Sequence, residues 1–486
     1  MGFGGHVHPL LESATRRKAA TKGEYLSSMS ERIPGPSVNS TAPHLLRVLS
    51  LGDLFLYGVV AVTPSAPATV FGLADAEARG HVVVTILAGM IAMVLTAISY
   101  GRMASLYPSA GSAYTYVSRG IHPLLGFATG WATLLDYIVI PLFCVIYGTL
   151  ALQRALPWLP FIVGSALFAG GITILNLNGI RSTARTNQML LAVMFAVLGA
   201  FIVLAIRYIW IRQGIAGLFS TAPFYNPATF SVRRIAHATS FAALTYLGFD
   251  AVTTLAEEVK NPRKNVLLAA VAVCIFTGLF GGLLVYLAQL VWPNYGTFKD
   301  LDTAFIDVTG RVGGTLLLEA TALLLVLANV GAGFTSQVGA ARLLYGMGRE
   351  NVLPRRVFAR LHPVHKTPDV NVVLIGLVAF LGAQLLSYEF TAEILNFGAF
   401  LGFMGVNVAV IWQFWVHRPN GHSKNFFLDV VLPFLGFLFC AVIWWGLASP
   451  AKIAGSIWLG VGLLVVGAQT NWYREPLKLP DSASFG

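Results

Sequence analysis

Charge is what this sequence has least of: 11% of its 486 residues are Asp, Glu, Lys or Arg, 56% are hydrophobic, and the mean hydropathy is +0.71. Soluble domains carry roughly a quarter of their residues as charges, so a water-soluble fold is excluded. Cysteine is nearly absent. Cys144, Cys274 and Cys440 fall in separate apolar runs, which leaves no disulfide framework and no metal-ligand spacing. No His, Asp or Glu cluster has the spacing of a metal site or an activated nucleophile, so neither an enzyme nor a cofactor is expected. A glycine-rich filter loop of the channel type is missing as well. No short signal-peptide core with a cleavage site precedes the first apolar run, so that run is expected to be retained.

What remains is a chain of long apolar runs. About twelve membrane spans of ~20 residues fit the length, at 48–74, 81–103, 122–151, 160–177, 187–211, 235–256, 266–291, 314–341, 370–387, 392–413, 429–448 and 453–470. The fold class is therefore an all-α polytopic membrane protein, its main partner the lipid bilayer. Residues 1–46 and 473–486 read as cytoplasmic tails, the first with Arg16, Arg17, Lys18 and Lys22 among Ser, Gly and Pro. The formal charge of +11 is no nucleic-acid signal here. Most Lys and Arg fall on the side of the tails, as in the loop holding Arg342, Arg349, Arg355, Arg356, Arg360 and Lys366, which is the bias of a cytoplasmic face.

Two spans are interrupted. The first carries Thr63-Pro64-Ser65-Ala66-Pro67 in mid-span, and each proline removes an amide donor and clashes with the preceding turn. The sixth carries Gly248 and Asp250 where the membrane should be deepest. Helices in lipid must satisfy their own backbone, so unwinding is tolerated only where it lines a protein cavity. The other reading of each is a kinked but continuous helix, with Asp250 hydrogen-bonded to a neighbour. Interrupted spans at matching places in two halves point to an inverted-repeat carrier. Five spans per repeat is an odd number, so 47–212 and 213–415 would run in opposite orientation, and 416–472 would add two spans.

Several residues could then carry chemistry. Carbonyls of Ala61, Val62 and Thr63 at the end of one half-helix can hold a cation, and amides of Ser65, Ala66 and Ala68 at the start of the next can hold an anion. Asp250 is a proton carrier, an amine ligand or a structural acceptor. Asp136, beside Tyr137 in the third span, has the same alternatives. Phe241, Tyr246 and Phe249 are candidates to close over a solute. In the eighth span, Ala332, Thr335 and Ser336 offer oxygen ligands for a hard cation such as sodium, or ordinary small-residue packing. Glu257, Glu258, Lys260, Arg263 and Lys264 suit a solvated salt-bridge cluster or an inner gate.

These motifs resemble a known group. GFDAVTTLAEEVKNPRKN at 248–265 looks like the sixth-span signature of the amino acid-polyamine-organocation superfamily, and ARLLYGMGRENVLP at 341–354 is similar to its loop after the eighth span. TPSAP at 63–67, LLDY at 134–137 and NFGAF at 396–400 look most like its bacterial putrescine-importer branch. The resemblance covers roughly residues 45–450. It implies a LeuT-like five-plus-five core with broken helices 1 and 6, and proton- or sodium-coupled uptake of amino acids or polyamines through a bacterial cytoplasmic membrane. It places the substrate at Thr63 to Ala66 and at Tyr246, Gly248, Phe249 and Asp250. There are departures: Thr63-Pro64-Ser65 stands where amino acid permeases carry a Gly-Ser-Gly type break, and span 187–211 lacks the lysine of some proton-coupled relatives. Thr335 and Ser336 match the hydroxyl pair of sodium-coupled ones, which leaves the ion open. An exchanger, a channel and a transceptor are the alternatives.

Overall fold

The computed structural model describes residues 47–108, 112–178, 184–349, 353–362, 367–417 and 423–470. The expected tails, 1–46 and 473–486, lie outside the described residues. Helix α1, Leu51–Val62, opens on a reciprocal cap in which Ser50 and Asp53 satisfy each other's backbone amides. It stops at Thr63, whose φ of 63° no helix accepts, just before Pro64. Helix α2, Ala66–Glu77, restarts with Pro67 in its first turn, bent 48° from α1. Proline is tolerated there because the first-turn amides have no helical partner.

The chain continues through α3 (Val82–Leu106), α4 (Ser112–Gly120), α5 (Pro123–Ala155), α6 (Phe161–Leu177) and α7 (Ala184–Gly217). The sixth expected span is in pieces: α8 (Val232–Ala242), a 3-10 turn (Ala243–Tyr246), an extended Leu247 and a short α9 (Ala251–Thr254). Next come α10 (Pro262–Val291), α11 (Ala304–Arg349), α12 (Arg355–Phe358) and α13 (Asp369–Leu385). The last are α14 (Tyr388–Val410), α15 (Leu432–Gly446) and α16 (Ser449–Gln469). Helix α11 is longer than the expected span 314–341. Gly314, with φ 67°, kinks it where that span was expected to begin, so 304–313 is a separate arm.

Among the described residues, eight helices are long and apolar enough to cross a membrane, nine with the bent α1–α2 pair; α6 and α13, 17 residues each, are shorter apolar helices. Large apolar side chains such as Leu167, Val203, Ile211, Leu279, Leu385, Trp445 and Ile457 stand exposed, as lipid contact requires. This is a multi-pass membrane protein. Packing partners fall into pairs five expected spans apart: α2 against α8, α3 along α10, α5 along α11 and α6 beside α13. Helix α14 lies deepest, with 72% of its apolar window buried, while α15 and α16 are peripheral at 28% each.

Candidate functional site

The two interruptions meet. Gly248 adopts φ 101°, and a β-carbon built there would stand 2.8 Å from the Ala61 carbonyl oxygen and 3.4 Å from the Val62 nitrogen. Glycine is needed for both the backbone angle and the close approach. The Ala61–Val62 end of α1 thus rests on the unwound stretch of the sixth span.

At the first break the amides are largely spoken for. Ala66 donates to the Thr63 carbonyl at 2.9 Å and Ala68 to the Ser65 carbonyl at 3.0 Å, while Pro64 and Pro67 have no donor. Ser65 is buried and caps no amide with its side chain. Of the three amides expected to hold an anion, only that of Ser65 could be reached without breaking these turn bonds, so the break has little to offer a carboxylate. At the second break, Phe249 donates to the Tyr246 carbonyl at 3.2 Å and Ala251 to the Gly248 carbonyl at 3.1 Å, which places Asp250 at the head of α9.

Two carboxylates look into this region. Asp250 is half-buried, and its charge reaches Asp136 and Tyr137 on α5, Tyr57 on α1, and Tyr100 and Tyr116 on α3 and α4. The Oδ1 of Asp136 is buried with no hydrogen-bond partner in the structure. An unpaired buried carboxylate is costly, which makes it a candidate for a cationic ligand. The rings beside them form a packed aromatic cluster: Phe249 lies 5.4 Å from Tyr100 and 5.2 Å from Phe403, and Tyr100 lies 5.9 Å from Tyr116. Aromatic faces with carboxylates suit an ammonium group.

The other expected residues divide. Tyr246 turns away from the breaks, donating its hydroxyl to the Ile86 carbonyl at 2.7 Å with its ring packed on Gly89. It anchors the break to α3. Phe241 packs edge-on against His237, 5.5 Å away on the same helix. Tyr137 packs on Gly339 of α11. Ala332 serves as the acceptor for Ser336, at 2.7 Å, and Thr335 bonds the Gly331 carbonyl at 3.0 Å. Thr335 is exposed and Ser336 buried, so the hydroxyls of the expected ion site point to different sides of α11. Tyr100, Tyr116 and Phe403 were not expected. Tyr100 and Phe403 are buried aromatics in apolar stretches, and Tyr116 lies in the more polar segment Ser112–Gly120 between expected spans, so nothing in the sequence separates them from ordinary core or connection.

In the halves of the broken spans beyond the breaks, and close to them, the Thr69 carbonyl of α2 accepts the Tyr388 hydroxyl at 2.7 Å and the Ser240 carbonyl of α8 accepts the Asn396 amide at 2.6 Å. Gly398, also on α14, lets that helix cross the Ala132–Asp136 stretch of α5. Helix α14 therefore ties both broken spans to α5, with the NFGAF segment supplying Asn396 and Gly398.

A sequence model of the amino acid permease family matches residues 49–467. The chain is 29% identical to the low-affinity putrescine importer PlaP of Escherichia coli K12, over 90% of this chain and 97% of that protein. It is 28% identical to the methylthioribose transporter of Bacillus subtilis, over 88% of this chain and 94% of that protein. Similarity to the branched-chain amino acid permease BcaP of Bacillus subtilis is 24% identity, over 87% and 92%. These relatives are transporters, and the first is of the putrescine-importer branch. The chain belongs to the amino acid permease family of the amino acid-polyamine-organocation superfamily.

Proposed function

We propose that the protein is a secondary active transporter that imports an amine-bearing solute, a diamine such as putrescine before an amino acid, across a bacterial cytoplasmic membrane by alternating access. One observation carries this reading. The packing of Gly248 on the Ala61 carbonyl joins the two breaks into one place, beside two carboxylates, Asp136 and Asp250, within electrostatic reach of each other. Two negative groups suit a solute with two ammonium ends. The amides of Ala66 and Ala68 are engaged in turns, which disfavours a substrate held by its carboxylate.

The transport core would be two five-span repeats, 47–212 and 213–415, followed by two more spans, with both termini in the cytoplasm. The pairing of α2 with α8, α3 with α10, α5 with α11 and α6 with α13 supports it, since each pair joins equivalent spans of the two repeats. Either a proton or sodium would bias which face is open. The similarity to an importer of putrescine supports the diamine.

The test is uptake of radiolabelled putrescine into proteoliposomes with imposed proton or sodium gradients, competed by a panel of amino acids, for the wild type and Asp250→Asn. Saturable putrescine accumulation without amino acid competition, cut about tenfold or more by Asp250→Asn (~1.4 kcal/mol), is the expected result. Accumulation of neutral amino acids in its place would move the recognition to the first-break amides. Turnover without saturation or counterflow would point to a channel.

A further inference from the structure

Away from the breaks lies a cluster that the transport reading does not use. His237 of α8 places its Nδ1 3.2 Å from Glu77 Oε1 and its Nε2 3.3 Å from Glu393 Oε1. Glu77 is the last residue of α2, and Glu393 lies in the first turns of α14. One imidazole therefore joins the far halves of both broken spans to the central helix. A neutral histidine has one donor nitrogen and one acceptor nitrogen. Facing a carboxylate on each side, it would set its bare nitrogen against a carboxylate oxygen. The arrangement is satisfied only when the triad holds one further proton, on the ring or on a glutamate.

The surroundings keep that proton local. Glu393 is 3% exposed and also accepts from the Ala448 amide at 3.1 Å. Arg234 pairs with Glu77 at 3.4 Å, and Glu389 on α14 is a third carboxylate within reach of the same charges. Of the other helices packed on α8, α3 has a single charged side chain, Arg102, which pairs with Asp429. Helix α15 has none, and its Gly446 packs on the Ala236–His237 backbone. With histidine neutral, three carboxylates face one arginine. Among the described residues no group of His, Cys, Asp or Glu converges on a metal position.

We infer that the Glu77–His237–Glu393 triad is the binding site of the coupling proton and acts as an acid-closed latch on the outer face of the transporter. Protonation from outside ties α2 and α8 to α14 over the loaded site. Loss of the proton leaves like charges that part them. The inference rests on the alternating-access reading and its orientation, and the same preparation separates the two.

Thr69, 8% exposed on α2, is replaced by cysteine; the native Cys144, Cys274 and Cys440 are buried. Its labelling by a membrane-impermeant maleimide is followed in proteoliposomes against external pH, alone and combined with His237→Gln or Glu393→Gln, each rate divided by that of a free thiol at the same pH because the thiolate fraction itself rises with pH. The expected result is labelling that rises steeply from pH 5.5 to 8, by roughly tenfold per unit for a one-proton step, and flattens in both variants. Labelling indifferent to pH, or an unchanged response in the variants, overturns the latch whatever the protein transports. A pH-gated mouth in a protein that moves no amine would leave the latch standing and sink the transport reading. Putrescine uptake driven by sodium and indifferent to a proton gradient would overturn the proton's coupling role while leaving the carrier intact.

Discussion

Gly248 bears two constraints at once, a left-handed backbone and a carbonyl 2.8 Å from where a side chain would begin. Gly248→Ala meets both. Strain of this kind costs about 1–3 kcal/mol, and the added methyl pushes the Ala61 carbonyl away from the sixth-span break. Putrescine uptake is expected to fall about tenfold or more while the protein still elutes as folded material on size exclusion. Uptake at the wild-type level would show that the breaks need not touch. Asp302, in the loop before α11, carries a different burden. Burial, with help from Asp300 and Glu389, pushes its carboxyl up to about 6. A folded-state value above the unfolded one of ~3.9 means that this group's contribution to stability is complete below pH ~4 and is lost as pH rises through about 6. Asp302→Asn should therefore raise Tm at pH 8 and leave it nearly unchanged at pH 4. Thermal unfolding followed by intrinsic fluorescence checks this, and a variant equally shifted at both pH values would refute the charge argument.

At the level of the elements, what could be read in the sequence was what the backbone forbids. Prolines 64 and 67 and the Gly248–Asp250 pair marked both interruptions, because missing amides and a carboxylate in an apolar run are written in residue type. Directions of side chains are not. Tyr246 adjoins the break yet bonds α3 through the Ile86 carbonyl, and Thr335 and Ser336 diverge because successive helical residues sit about 100° apart. The aromatic cluster of Tyr100, Tyr116 and Phe403 arises from three separate helices, so only tertiary packing assembles it. The arm 304–313, with Asp307 and Arg311, lies ahead of the expected span 314–341, and only the structure shows it as helix. Gly398 shows how close that packing is: a β-carbon there would lie 2.3 Å from the Ala132 carbonyl. Gly398→Val should wedge α14 from α5, at a cost of about 1–3 kcal/mol for overpacking, and lower Tm with loss of uptake. A stable, active Gly398→Val protein would mean that the α5–α14 crossing is not the rigid part.

For the molecule as a whole, alternating access requires two seals that open in turn. On the proposed cycle, the seal opposite the His237 triad would be a single parallel bridge. Leu49, just before α1, donates to the Glu258 carbonyl at 3.0 Å and accepts from the Lys260 amide at 2.9 Å, a parallel bridge centred on Val259. This bridge closes the near ends of the two broken spans on each other, below the paired breaks. Residues facing each other across such a bridge lie within the Cα separation a disulfide accepts, roughly 4.4–6.8 Å. Leu49→Cys combined with Val259→Cys should form that bond on mild oxidation without disturbing the buried native thiols. If the seal must part for the solute to leave, the oxidised double variant stops accumulating putrescine, reductant restores it, and each single variant transports normally under the same oxidation. Because Thr69 is on the far side, its pH-dependent labelling should persist in the cross-linked protein. A cross-link proven by a gel shift that left uptake intact would place the exit path elsewhere, and with it the claim that the α1 and sixth-span ends form the inner gate would fall.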